Sequence, residues 1–92
     1  MSDMPAISKK KRSKISEQIL SYLYSISPEA SFTVRIAEEI IRDEEFTKSL
    51  LEELEKSKLL VKVSKGPDGQ NYSRWQRWRL SNAAFEAYKK LN

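Results

Sequence analysis

Between Lys14 and Ile26 the apolar residues Ile15, Ile19, Leu23 and Ile26 fall at helical spacing, which predicts a first helix with one core-facing side. Leu20, Tyr22 and Tyr24 widen that stripe beyond what a single face needs, so two buried faces are expected. The residue before a proline is pushed out of the helical region, and Ser27-Pro28 therefore ends the helix. Ser31-Phe32-Thr33 is short and extended in character, with Thr33 expected to cap a second helix carrying Val34, Ile36, Ala37, Ile40 and Ile41. Arg42-Asp43-Glu44-Glu45 reads as a tight turn in which Asp43 caps a third helix, with Phe46, Leu50 and Leu54 inward and Leu51 beside them.

Further on the periodicity shortens. Leu59 to Lys65 is rich in branched residues, Gly66-Pro67-Asp68-Gly69 is a turn signal, and Tyr72 to Leu80 alternates as a strand does, so this stretch predicts a hairpin. Ser81 then caps a last helix whose apolar side is Ala84, Phe85, Tyr88 and Leu91. Residues 1–13 contain Pro5 and the run Lys9, Lys10, Lys11, Arg12 with almost nothing to bury, and are expected to form a flexible basic arm ahead of a folded body over residues 14–92.

Composition narrows what such a fold can do. The 92 residues contain no cysteine and no histidine, which removes disulfides, thiol nucleophiles, imidazole bases and the usual zinc and iron–sulfur sites. The remaining carboxylate pairs, Glu38 with Glu39 and Glu52 with Glu53, are adjacent on helices and point in different directions, so no enzyme is expected and no cofactor or metal. Helices this short leave little room for a small-molecule pocket. No segment approaches a membrane span, and the opening MSDMPAISKKKR has no hydrophobic block behind its charges, so a soluble cytoplasmic protein is expected.

Charge is segregated. Residues 1–28 carry +3, residues 29–56 carry −5, residues 57–80 carry +5 and the last twelve +1, within a total of +4. Basic segments flanking a body are the electrostatic footprint of a polyanion binder. In the second hairpin strand Trp78 and Leu80 share one face while Trp75, Arg77 and Arg79 share the other. The first set is expected in the core, and the second in solvent beside Lys62 or Lys65 of the partner strand, unless the arginines pair with the glutamates of residues 44–55.

This order of elements resembles the winged helix-turn-helix domain of the PadR and MarR type. The residues that carry the resemblance are FTVRIAEEI for the second helix, FTKSLLEELEKSKLLVKV for the recognition helix running into the wing, and RWRLSNAAFEAY for the close of the wing. Lys58 and Ala84 stand where such domains often have glycine, so Lys58 is expected in a left-handed or altered turn. The implied fold is mainly α with a small β-hairpin: a three-helix core, a wing and a C-terminal helix, assembled as a dimer. The implied function is binding of double-stranded DNA as a transcriptional regulator or DNA-coating factor.

Candidate DNA contacts are Lys48, Ser49, Glu52 and Lys56 on the third helix, Lys65, Asn71, Arg74 and Arg77 on the wing, and Lys10, Lys11 and Arg12 on the arm. Glu52 is ambivalent, able to accept from cytosine N4 or to pair with Lys48 and Lys56. The resemblance implies a dimer interface through the first and last helices, for which Ile19, Leu20, Tyr22, Leu23, Phe85, Tyr88 and Leu91 are candidates. Small effector-free proteins of archaeal plasmids and viruses are also similar, including centromere-binding adaptors of plasmid segregation, and the charged fraction of 33% suits a hot-living source. The alternatives are therefore such an adaptor, with a second protein of a segregation or transcription complex as partner, or a winged-helix module for protein assembly.

Overall fold

A computed structural model describes residues 9–63 and 76–91. Its elements run α1 (Lys9–Ile26), β1 (Ser31–Phe32), α2 (Thr33–Ile40), α3 (Glu44–Lys56), β2 (Leu60–Val63), β3 (Arg77–Leu80) and α4 (Asn82–Leu91). The three strands form one antiparallel sheet in the order β1-β3-β2, with Leu60 opposite Leu80, Lys62 opposite Trp78, Ser31 opposite Trp78 and Phe32 opposite Arg77. This is a winged helix-turn-helix arrangement, mainly helical with a small hairpin. The turn expected at Gly66-Pro67-Asp68-Gly69 lies outside the described residues, as do residues 1–8 of the expected arm.

The expected helical phases converge on one core. Ile15, Ile19 and Leu23 of α1, Ile36 and Ile40 of α2, Leu50, Leu51 and Leu54 of α3, and Leu60, Trp78, Leu80 and Ala84 pack together as buried residues. Burying that apolar surface is the main favourable contribution to folding. Phe46 packs on the edge of this cluster rather than within it, and Thr47 takes an inward place instead, its hydroxyl donating to the Asp43 carbonyl at 2.8 Å.

Helix α1 begins at Lys9, five residues before the expected start at Lys14. The physical reason is phase: Arg12 continues the Ile15, Ile19, Leu23 stripe backwards by one turn and finds partners on α3, described below. Asp43 caps α3, accepting from the Phe46 amide at 2.8 Å, and Ser81 caps α4, accepting from the Ala84 amide at 3.1 Å. Thr33 does not cap α2. That position belongs to Phe32, which offers no side-chain bond, and the Thr33 hydroxyl turns inward. It accepts from the Trp78 indole N–H at 2.8 Å and lies 3.3 Å from the Gln76 carbonyl, to which it donates. The Thr33 amide donates to the same carbonyl at 3.0 Å, so the start of α2 is fastened to the start of β3.

Two helices end through a residue with positive φ that is not glycine. Lys58 (φ 67°) closes α3, and the Leu59 amide donates back to the Leu54 carbonyl at 3.0 Å. Ile41 (φ 57°) closes α2 in the same way, with the Arg42 amide donating to the Ala37 carbonyl at 3.0 Å. The left-handed region is disfavoured for any residue with a Cβ and most for a β-branched one. Ile41 is also 85% exposed, so its side chain recovers little of that cost by burial.

Two outcomes follow for stability. Thr33→Val leaves the buried Trp78 N–H without an acceptor and should lower unfolding free energy by about 1–3 kcal/mol in urea titrations, while Thr33→Ser keeps most of the stability. Ile41→Gly should raise the urea midpoint, by about 1 kcal/mol of stability.

Candidate nucleic-acid interface

Helix α3 presents a mixed face to solvent. Ser49 and Lys56 are exposed and Lys48 and Glu52 half-buried, while Glu44 and Glu45 load its first turn with acid. Acids there are favoured by the helix dipole and repel phosphate. Among the described residues no ion pair joins Glu52 to Lys48 or Lys56, so the surface pairing weighed from the sequence is not formed. The three acids Glu44, Glu45 and Glu52 outnumber the two cations Lys48 and Lys56 on that face, which leaves it slightly acidic.

Cations are brought to α3 from elsewhere. Arg12, expected on a mobile arm, lies on α1 and reaches across to α3: one Nη pairs with Glu53 and lies 3.5 Å from Ser49 Oγ, and the guanidinium stands 5.4 Å from the Phe46 ring centroid. Arg12 thus ties two helices together from within α1, where a flexible arm was expected over residues 1–13. The same tie sets the first turn of α1, with Lys9, Lys10 and Lys11 exposed, next to the Ser49 side of α3. Sequence reasoning missed this because the basic run looked like tail, although Arg12, Ile15 and Ile19 already share a helical phase.

The β3 alternation is as expected. Trp78 and Leu80 are buried, whereas Arg77 and Arg79 lie on the opposite, half-exposed face. Neither pairs with a glutamate of α3: Arg77 stands 5.9 Å from the Phe32 ring centroid, and Arg79 Nη1 donates to the Leu80 carbonyl at 2.9 Å. Lys62 requires a correction. It is paired with Trp78, so it shares the inner face, where its ammonium lies 5.4 Å from the indole ring; Val61 and Val63 stand beside the arginines instead. A strand's two-residue period decides this, since pairing Lys62 with Trp78 forces both to the same side. Lys65, Asn71, Arg74 and Trp75 lie outside the described residues.

The set of residues expected at a dimer interface divides. Ile19 and Leu23 are completely buried in the core of their own chain and cannot face a partner, which corrects their assignment. The surplus aromatics of α1 are also satisfied within one chain. Tyr24 packs on Phe85 and Tyr88 at ring-centroid distances of 5.4 and 5.5 Å, and the Tyr22 hydroxyl meets Ser31 Oγ at 3.2 Å. Burial, and then the charge of Glu17, hold the Tyr88 phenol above its ordinary value. The protonated phenol is the favoured folded form, so its contribution is complete below the ordinary tyrosine range and is lost as pH rises past it. What remains open to solvent is a shallow groove between α1 and α4 lined by Glu17, Leu20, Leu59, Ala84, Tyr88 and the 80% exposed Leu91.

Among the described residues no group of acidic side chains could hold a metal ion, and no helix is long and apolar enough to cross a membrane.

No protein-family model matches the chain, and neither does any curated protein. Solved structures do. A mutant of MepR from a multidrug-resistant S. aureus clinical isolate superposes with a TM-score of 0.70 at 19% identity, over 86% of this chain and 54% of that one. An S. aureus MepR–DNA complex gives 0.67 at 19% identity, over 89% and 73%. The Zalpha domain of Carassius auratus PKZ in complex with Z-DNA gives 0.61 at 20%, over 76% of this chain and 97% of that one. This chain thus spans about half the length of the first and nearly all of the Zalpha domain, and the likeness establishes the winged-helix fold.

The Arg12–Glu53 tie is partly solvent-exposed, so Glu53→Gln should cost no more than about 1 kcal/mol of stability in urea titrations. Arg12→Ala, which also loses the contact with Phe46, should cost somewhat more.

Proposed function

We infer that this chain binds double-stranded DNA, as a transcriptional regulator or a DNA-coating factor, and does so without catalysing a reaction. The observation that carries the reading is the seating of the basic first turn of α1 against α3 through Arg12. It brings the end of α1 that carries Lys9, Lys10 and Lys11 to a helix whose own exposed face has more acids than cations. With the wing cations Lys65, Arg74 and Arg77 on the far side of α3 in sequence, phosphates would be gripped from α1 and from the wing. Lys48, Ser49 and Lys56 are then left to touch the groove, and Glu52 to accept from a base. The MepR–DNA complex and the Z-DNA-bound Zalpha domain support the reading by sharing the fold. Sequence reading by so mixed a helix is expected to be modest, and the affinity strongly salt-dependent.

The active form is proposed to be a homodimer acting on the nucleoid in the cytoplasm, with Leu20, Tyr88 and Leu91 meeting their counterparts across the α1–α4 groove. A two-fold dimer would place two wings on successive turns of the duplex. A plasmid-segregation adaptor carries the same chemistry with a second protein added. A protein-assembly module is the second class of reading, favoured by the acidic first turn of α3, Glu44 and Glu45.

Fluorescence anisotropy with a labelled duplex tests the first reading. With about six to ten phosphate contacts per dimer, affinity should fall by roughly three to five decades between about 50 and 200 mM salt. Changing Lys9, Lys10 and Lys11 together to Ala should weaken binding on every sequence and flatten the salt dependence, whereas unchanged affinity would remove α1 from the interface. Leu91→Glu with Leu20→Glu should shift sedimentation from dimer to monomer and lower duplex affinity with it.

A further inference from the structure

The outer face of the sheet carries features that the duplex reading leaves largely unused. Register places Phe32, Arg77 and Val63 in one row across the three strands, with Arg79 and Val61 in the next. Alternation puts all five on the side turned away from Trp78 and Leu80. Phe32 is 40% exposed, with the Arg77 guanidinium 5.9 Å from its ring centroid. Arg79 spends one donor on the Leu80 carbonyl, which holds its side chain near the strand and leaves the rest of its fork of donors. No Asp or Glu occupies any of these paired positions, so the platform is uniformly cationic and apolar.

We propose that this sheet face binds single-stranded nucleic acid, with a base stacked against Phe32 together with the Arg77 guanidinium and the strand's phosphates meeting Arg77 and Arg79. An aromatic ring needs the face of a base. In a duplex that face is covered by its neighbours, and only an unstacked strand offers it. The two arginines stand at alternate positions of β3, about 7 Å apart along the strand, so one extended nucleic-acid backbone can meet both. Val61 and Val63 supply the apolar floor beside them. An acidic peptide would answer the arginines but has no base to set against Phe32. The inference shares Arg77 with the duplex reading and is separated from it by Phe32, Val61 and Val63, which take no part in that reading.

Binding of the 92-residue chain to a labelled thymidine oligonucleotide of about fifteen residues and to a blunt duplex is compared by anisotropy at low salt. The oligonucleotide should bind. Phe32→Ala should weaken it about tenfold or more while leaving the duplex affinity and the urea midpoint nearly unchanged, and Phe32→Trp should retain it. The proposal is overturned by absence of oligonucleotide binding, by an equal loss on both nucleic acids, or by polyglutamate displacing the oligonucleotide as effectively as unlabelled thymidine strand does. Loss of duplex binding alone would sink the earlier reading and leave this one standing.

Discussion

The indole N–H of Trp78 donating to the hydroxyl of Thr33 is the constraint on which the arrangement of this small domain rests. Trp78 is the largest completely buried side chain among the described residues, and its polar atom has to be satisfied where no water reaches. Thr33 supplies the acceptor, and through its hydroxyl and amide it also holds the Gln76 carbonyl. One residue thus joins the first turn of α2, the short strand β1 and the strand that closes the wing. Because β3 is fixed by its inner tryptophan, its outer arginines are fixed too, one residue before and one after.

Placement of charge then decides what the fold can bind. A winged helix with so acidic a middle segment would repel DNA if its third helix acted alone, since Glu44, Glu45 and Glu52 oppose Lys48 and Lys56. Arg12 changes that balance. By pairing with Glu53 it neutralises one α3 acid and brings to α3 the end of α1 that carries Lys9, Lys10 and Lys11. A partly exposed ion pair contributes little to stability, so the significance of this one lies in where it puts the neighbouring cations.

Much of this was legible in the sequence. The helical phases of α1, α2 and α3, the caps at Asp43 and Ser81 and the inward Trp78 follow from periodicity and local chemistry, and the left-handed turn at Lys58 from the resemblance to winged-helix domains. What was not legible depends on pairing between distant segments. Thr33 looked like a cap because capping is a local property, whereas its real partner lies forty-five residues away. Lys62 looked outward because a lysine in a strand usually is, and only its register against Trp78 turns it in. Ile19 and Leu23 were set at an interface because a broad apolar stripe does not say how many elements of the same chain will cover it; α2, α3 and the sheet take that side, and Phe85 and Tyr88 take Tyr24.

We propose that the first turn of α1, the exposed side of α3 and the wing form one surface for duplex DNA. The most direct measurement is a titration of isotope-labelled protein with a short duplex at low salt, followed residue by residue through backbone amide shifts. Shifts should gather at Lys9–Arg12, Lys48, Ser49, Lys56 and the wing, and fade together as salt is raised. Shifts confined to the α1–α4 groove, or an unaltered spectrum at duplex excess, would contradict it.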